Sequence, residues 1–376
     1  MRIFHVADLH IGKIVNGFSM IDEQKYILDQ MIDQVKAKAP DVFIIAGDVY
    51  DKRNPSNEAA VLFSNFIVDL SKFDIDILIV SGNHDSGLKL QFASEVLSKQ
   101  RIFISGSFNE TIDKVELKDE YGIVNFYLMP FVRPSDIRIY FPKVSSYHNA
   151  IELAIINSNI DYTKRNIFIG HQFFGGGISN AERSDSELIS VGGIDNVGYN
   201  LLESFDYAAL GHLHKPQKLV HDYVRYSGSP LKYSNSEVTH NKSLVMIDIK
   251  EKKDLNISLI RLKPKTEMRK IEGFIEDILD SSYDINNSDD FVHVVLLDDK
   301  EVIDAIKKLR NKYKNIMSLK FKNIRSSNHS DIDVRDDISD TNPIDLFHDF
   351  FKLQNNREMN ENQSKIVEKL IGKEEV

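Results

Sequence analysis

The chain contains no cysteine. Disulfides and zinc–thiolate sites are therefore excluded, and any metal must be held by His, Asp, Glu, Asn or backbone oxygen. The same absence fits a reducing cytoplasm. No apolar run is long enough to span a bilayer, and no basic-then-apolar leader opens at Met1, where a first strand is expected from Ile3. Internal repeats and low-complexity tracts are lacking. No serine or cysteine sits in a nucleophile motif. The Gly175-Gly176-Gly177 run has no P-loop context, so it reads as a loop and not as a nucleotide site.

What remains is an ordinary globular composition, 42% hydrophobic and 28% charged, over 376 residues, enough for two or three domains. A net charge of -10 argues at first against a nucleic-acid partner. Its distribution weakens that argument. Residues 331–376 hold 12 acidic against 6 basic side chains, and the first 330 hold 45 against 41, so the body is nearly balanced. Local basic surface is compatible with that balance.

From Met1 to Phe108, apolar strands alternate with segments of helical period. Strands are expected at Ile3–Ala7, Asp41–Ala46 and Ile75–Ser81, and helices at Asp22–Ala39, Asn57–Lys72 and Leu88–Gln100. This βαβ succession implies parallel strands covered by helices. Further strands are expected at Lys114–Leu117, Ile123–Pro130, Asn166–His171, Tyr207–Gly211 and Asn256–Leu262, with a helix at Tyr147–Asn157. Val220–Asp248 reads as antiparallel strands around a Ser-Gly-Ser-Pro turn. The fold class is α/β (α+β), two mixed β-sheets flanked by helices.

Residues 1–263 would form this body, with a boundary at Lys263-Pro264-Lys265. Residues 266–325 would form a small α+β unit, with helices at Phe274–Leu279 and Lys300–Tyr313 and strands at Phe291–Leu297 and Met317–Phe321. Residues 326–340, rich in Ser, Asn and Asp, read as a linker. Two amphipathic helices, 343–353 and 360–371, complete the segment 341–376; their apolar faces either fold back on the body or fill a partner's groove.

Five short stretches put metal-competent side chains at the ends of expected strands: Asp8-Leu9-His10, Gly47-Asp48, Gly82-Asn83-His84-Asp85, Gly170-His171 and His212-Leu213-His214. Ligands of open α/β sheets gather outside the strands' carboxyl ends. The i, i+2 spacing turns both polar side chains of Asp-Leu-His and His-Leu-His to one side of an extended segment. Each stretch alone has an ordinary reading: a cap for Asp48, a turn for Asn83 and Asp85, a strand edge for the histidines. Five of the 12 histidines nevertheless fall in this one ordered array. Mixed oxygen and imidazole donors suit manganese or iron, with magnesium or zinc as alternatives.

The order Asp-x-His, Gly-Asp, Gly-Asn-His-Asp, Gly-His, Gly-His-x-His resembles the calcineurin-like binuclear metallophosphoesterases. The chain is more narrowly similar to the family of nuclease subunits of SbcCD-type double-strand-break repair complexes. That likeness is carried by Phe4–Gly12, Ala46–Asp51 with Pro55, Val80–Ser86, Ser184–Glu187 with Val191-Gly192-Gly193, Ala209–His214, Tyr226–Pro230, Pro343–Phe347 and Arg357-Glu358-Met359. It covers nearly the whole chain, and the 266–325 unit resembles that family's DNA-capping domain.

The resemblance implies that Asp48 bridges two divalent metals, most expectedly Mn2+. Asp8, His10 and His214 would complete one site and Asn83, His171 and His212 the other. His84 would contact the scissile phosphate and protonate or stabilise the leaving oxygen. Some relatives carry a histidine after Gly-Asp, where this chain has Asp51-Lys52-Arg53. Two cations about 3.5–4 Å apart activate water for in-line attack on phosphorus. The implied activity is a 3′→5′ exonuclease on duplex DNA and an endonuclease on single-stranded or hairpin DNA, in repair, recombination and replication.

Among basic residues near the motifs, Lys52, Arg53 and Lys215 are candidate DNA contacts, with Lys13, Lys89, Arg183 and Lys232 beside them; any of them could equally be solvated surface. Tyr233 reads as packing. The implied partners are DNA, an SbcC-type ABC ATPase bound through 341–376 in a two-plus-two assembly, and a second copy met through Asn57–Lys72 and Leu88–Gln100. The implied location is cytoplasmic, with the nucleoid. The alternative is a phosphoesterase of the same fold acting on small nucleotides or phosphoproteins.

Overall fold

The computed structural model of the protein describes residues 1–175, 182–187, 195–280, 282–283, 288–298, 302–322, 344, 347–348, 351 and 358–371. The chain divides into two units, Met1–Arg269 and Lys270–Val376.

Two six-stranded sheets make the first unit. One runs in the order Leu255–Arg261, Ser243–Ile249, Arg2–Val6, Val42–Ala46, Asp76–Val80, Ile102–Ser105. Its last four strands are parallel and the first two antiparallel. The other runs Gln217–Lys218, Val224–Tyr226, Tyr207–Gly211, Arg165–His171, Gly122–Met129, Asp113–Asp119, with four parallel strands between antiparallel edges. Ile3, Ile44 and Leu78 of the first sheet share one buried cluster with Phe126, Ile167 and Ala209 of the second. Strands covered on both faces read as unbroken apolar runs, and Val42-Phe43-Ile44-Ile45 is fully buried.

Helices Ile21–Lys38 and Asn57–Leu70 add their apolar stripes to this unit. Phe66 of the second meets Phe43 edge to face at 5.9 Å. Ser56 starts that helix by accepting the Ala59 N–H at 3.2 Å. Ala39, at φ 44°, ends the first. Helix Tyr147–Asn157 packs Ala150, Ile151 and Ala154 into a cluster with Phe168 and Phe205 of the second sheet's side.

Two expectations need correction. Leu88–Gln100 is not one helix: it splits into Gly87–Leu90 and Ser94–Ser98 at Ala93, whose φ is 60°. The break lets Leu90 bury while Phe92 and Val96 remain exposed. The Ser-Gly-Ser-Pro segment is no hairpin turn. Val224–Tyr226 pairs in parallel with Tyr207–Gly211, and Ser227-Gly228-Ser229-Pro230 then leads the chain toward Ser243–Ile249 in the other sheet. Apolar alternation on either side of a glycine-containing bend looks the same for a hairpin and a crossover. The strands Ile102–Ser105 and Met268–Gly273 are additions to the expected set.

The second unit carries the strand order Met268–Gly273, Phe291–Leu296, Asn315–Phe321, the last two parallel. Helices Ile275–Leu279 and Ala305–Arg310 join a core of Ile278, Val292, Val294, Leu309 and Tyr313. Residues 300–301 of the helix expected over Lys300–Tyr313 lie outside the described residues. So do the expected linker 326–340 and all of the helix 343–353 except 344, 347, 348 and 351. Helix Glu361–Ile371 opens on a reciprocal cap, Asn360 and Gln363 each accepting the other's backbone N–H at 3.0 Å. Among the described residues no helix is long and apolar enough to cross a membrane.

Candidate metal centre

Every parallel strand that carries a candidate ligand delivers it just past, or at, its carboxyl end. The first two loops are zipped together by backbone. Asp8 N–H donates to Gly47 O at 3.0 Å, His10 N–H to Asp48 O at 2.9 Å and Ile11 N–H to Val49 O at 2.9 Å. The third loop is tied in by Asp85, which accepts the N–H groups of Gly82, Val49 and Tyr50 at 2.9, 3.1 and 2.9 Å. Gln24 holds the first loop from the helix side, donating to His10 O at 2.7 Å and accepting Gly12 N–H at 2.9 Å.

Asp8, His10, Asp48 and His212 all lie at positive φ, 54°, 45°, 49° and 105°. Such backbone costs on the order of 1–3 kcal/mol per residue and persists only where its surroundings enforce it. Glycine is required beside them. A Cβ on Gly47 (φ 88°) would stand 2.3 Å from His171 Nδ1, and one on Gly82 would stand 2.1 Å from Asp48 Oδ1.

The side chains of all seven expected ligands converge. His171 Nε2 lies 3.3 Å from Asp48 Oδ2, 3.9 Å from Asp8 Oδ1 and 3.1 Å from Asn83 Oδ1. His10 Nε2 lies 3.6 Å from the same Asp48 oxygen and 3.0 Å from His214 Nε2. His212 Nδ1 is 3.2 Å from Asn83 Oδ1. Three overlapping groups have ligand atoms within 4.8 Å of one another: Asp8, His10 and His214; His10, Asp48 and His84; Asp8, Asp48 and His171. Asp48 Oδ2 thus faces both His10 Nε2 and His171 Nε2.

Outer contacts fix which nitrogen faces inward. His171 Nδ1–H donates to Ala46 O at 2.8 Å, leaving the Nε2 lone pair for the centre. His214 Nδ1 sits 2.7 Å from Ser186 Oγ, and that hydroxyl donates onward to Glu237 Oε1 at 2.6 Å. Glu237 is fully buried and paired with Lys242 Nζ at 2.5 Å. Glu187 accepts the His214 backbone N–H at 2.7 Å. His84 is turned by Asp51 O, 2.8 Å from its Nδ1, so its Nε2 points toward Asp48 Oδ2 at 4.0 Å.

Electrostatics divide the candidate ligands: burial pushes the Asp8 carboxyl well above its usual range. Burial pushes the imidazoles of His10, His212 and His214 down, His212 to about 3, so their nitrogens carry lone pairs at neutral pH. Burial would push His171 down too, but the adjacent Asp48 outweighs it and raises His171 to about 9. Burial would likewise lift Asp48, yet His171 holds it well below the usual carboxylate range. Without a metal, His171 is therefore the centre's own counter-charge. Donor chemistry, mixed oxygen and neutral imidazole around a shared carboxylate, fits divalent ions.

The remaining basic residues are mostly engaged. Lys215 pairs with Glu182, Lys13 with Asp51 at 2.7 Å, Lys232 with Glu267 at 2.6 Å and Arg183 with Asp195 at 3.3 Å. Lys89 bonds Asn54. Lys52 and Arg53 are exposed. Tyr233 is packing, its hydroxyl donating to Leu9 O at 2.6 Å. Sequence reasoning gave no role to Ser186, Glu237 or Lys242. Glu237 lies in a single 3-10 turn, Asn235–Glu237, with no local spacing to mark it.

The sequence profile described as calcineurin-like phosphoesterase matches residues 1–216, and the one described as type 5 capsule protein repressor C-terminal domain matches 264–355. The D subunit of the nuclease SbcCD from Staphylococcus epidermidis is 33% identical over 381 residues, 99% of this chain and 98% of its own. Its namesake from Staphylococcus saprophyticus is 33% identical over 380 residues with the same coverage. Among solved structures, a dimetal phosphatase from Danio rerio aligns over 70% of this chain and 96% of its own, at 11% identity and a TM-score of 0.40.

Proposed function

Since the chain belongs to the calcineurin-like phosphoesterases and, within them, to the family of SbcCD nuclease D subunits, we propose that it is a metal-dependent DNA nuclease. It hydrolyses phosphodiesters as a 3′→5′ exonuclease on duplex ends and as an endonuclease on single strands and hairpins. The observation that carries this reading is Asp48 Oδ2 standing within 3.6 Å of His10 Nε2 and 3.3 Å of His171 Nε2. In it, Asp8, His10 and His214 hold one ion with Asp48, and Asn83, His171 and His212 hold the other. Manganese is the proposed metal.

Bound divalent ions supply Lewis acidity, which makes water a nucleophile at neutral pH and offsets charge on phosphoryl oxygens. The chain's own residues supply position and a proton. Asp51 O keeps the His84 proton on Nδ1, so Nε2 can take up a second proton and hand it to the leaving oxygen as the P–O bond breaks. His84→Gln should keep both metals and lose most cleavage; wild-type turnover would remove His84 from the mechanism.

Residues 266–325 are proposed to cap DNA, and 341–376 to bind an SbcC-type ABC ATPase. Exposed Ile366 on helix Glu361–Ile371 supports the second role. Val61, Val68, Leu88, Phe92 and Val96 are all more than half exposed. They support a homodimer through Asn57–Lys72 and Leu88–Gln100, and thus a two-plus-two assembly. Lys52, Arg53 and Lys215 are proposed phosphate contacts, and the location is cytoplasmic, with the nucleoid.

The deciding assay incubates full-length protein and manganese with linear duplex, hairpin and single-stranded DNA, beside small phosphomonoesters and cyclic nucleotides. Chelator-sensitive DNA cleavage is expected. Turnover of the small esters alone would shift the reading to a small-molecule phosphoesterase. Removing residues 340–376 should abolish ATPase capture and spare cleavage; retained capture would contradict the docking role.

A further inference from the structure

We propose that a cleft next to the metal centre receives one unpaired nucleobase of the DNA strand adjoining the scissile phosphate. The cleft encloses about 400 Å³, and Asn83, Arg53, Phe108, Phe131, Arg133 and Tyr140 are among its walls. Asn83 also contacts His171 and His212, so cleft and centre share a wall. Phe131 lines the cleft with its ring 6.5 Å from that of His171.

Two properties select the ligand. First, the walls offer flat π surface: Phe131, and Phe108 with Tyr140 edge to face at 5.7 Å. The Arg133 guanidinium lies 5.8 Å over the Phe131 ring, which already accepts a planar group on its face. Second, the arginines are unpaired. Among the described residues neither the Arg53 nor the Arg133 guanidinium has a carboxylate partner. Of the two acids in the lining, Asp85 is held by the Val49, Tyr50 and Gly82 N–H groups, and Asp136 is turned to Arg133's own backbone N–H at 2.8 Å and the Ser135 hydroxyl at 3.3 Å. Aromatic faces with unpaired arginines are how single strands are held, bases stacked and phosphates neutralised. The volume lies in the range of small-molecule pockets and suits a single nucleotide. A base stacked on a protein ring has left its own helical stack, so the strand is unpaired where it enters, which matches endonuclease action on single strands and hairpins.

This inference rests on the nuclease reading, so the test has an arm that does not. Binding of dodecathymidylate is measured by anisotropy in EDTA at several salt concentrations, using the full-length protein. Phe131→Leu keeps apolar volume and removes the stacking face; it should weaken binding about tenfold, within the range for one lost base stack. Arg133→Gln should weaken binding and lower the salt slope by about 0.7, one phosphate's share for a single strand. With manganese, the ratio of kcat/KM on single-stranded DNA to that on bis(4-nitrophenyl) phosphate should fall about tenfold in Phe131→Leu. Wild-type binding and ratio in a folded Phe131→Leu overturn the proposal. If that variant unfolds, an unchanged affinity and salt slope in Arg133→Gln, whose side chain is exposed, overturn it alone. If the wild type hydrolyses neither substrate, the nuclease reading fails, while the EDTA arm still decides the cleft.

Discussion

At their carboxyl ends the parallel strands run into Asp8, Asp48, Asn83, His171 and His212; around their amino ends lie Arg165, Asp119 and Asp206. At the amino ends every charge is answered. Arg165 grips both Asp119 oxygens at 3.0 and 2.6 Å and also donates to Gly122 O at 2.8 Å and to Lys250 O. Asp206 accepts the N–H groups of Asn166 and Lys253, both at 2.7 Å. At the carboxyl ends, four candidate ligands have left-handed backbone, two imidazole nitrogens face each other at 3.0 Å, and His10 Nδ1 is buried with no hydrogen bond, 3.7 Å from Asp51 Oδ1. One rim is satisfied by the chain itself, and the other is complete only with ligands from outside. Stability and chemistry are thus separated along the length of the same strands.

Substitutions at the two rims should fail in different ways. Asp48→Asn should lower manganese-dependent cleavage by about a thousandfold or more, on the order of 4 kcal/mol of transition-state stabilisation, with the thermal midpoint kept or raised. Gel kinetics and calorimetry check this; a large loss of stability would erase the contrast. Arg165→Met at the other rim leaves Asp119 the Met1 ammonium, 3.1 Å away, but strips Gly122 O and Lys250 O of their donor; it should cost about 1–3 kcal/mol in urea unfolding, with manganese affinity unchanged.

Ser186→Ala cuts the relay from His214 to Glu237 and should weaken manganese binding roughly tenfold by titration calorimetry, with little effect on unfolding. His5 adds a readout through pH. Burial pushes it down to about 3, and its Nδ1 lies 2.9 Å from the Tyr207 hydroxyl. Below the ordinary imidazole range the unfolded chain binds a proton that the fold refuses. Stability therefore falls with pH from about 6.5 toward 3, by about 1.4 kcal/mol per unit from this group. His5→Asn, which can still bond Tyr207, should have a shallower loss between pH 6.5 and 5 in the same denaturation series.

The same contrast explains what could be read without coordinates. Buried parallel strands announce themselves as unbroken apolar runs, and the candidate ligands follow them within a few residues, so strands and converging motifs were both legible. Ser186 and Glu237 reach His214 from positions 28 and 23 residues away, across a chain reversal with no periodic trace. The break at Ala93 was hidden because Leu88, Phe92 and Val96 repeat at helical spacing although all three are solvent-exposed. The crossover at Gly228 was hidden because a glycine bend does not say which strand comes next.

The backbone ladder joining the Asp8–Ile11 and Gly47–Val49 segments, with the Asp85 carboxylate clamped across three N–H groups, makes the cage stiff before any ion arrives. Ion uptake then needs no ordering of chain, and little heat-capacity change should accompany it. A frame with so little slack would also sort cations by radius: calcium, whose oxygen contacts run about 2.3–2.6 Å, would have to stretch it, whereas ions near the size of magnesium, at about 2.0–2.1 Å, would not.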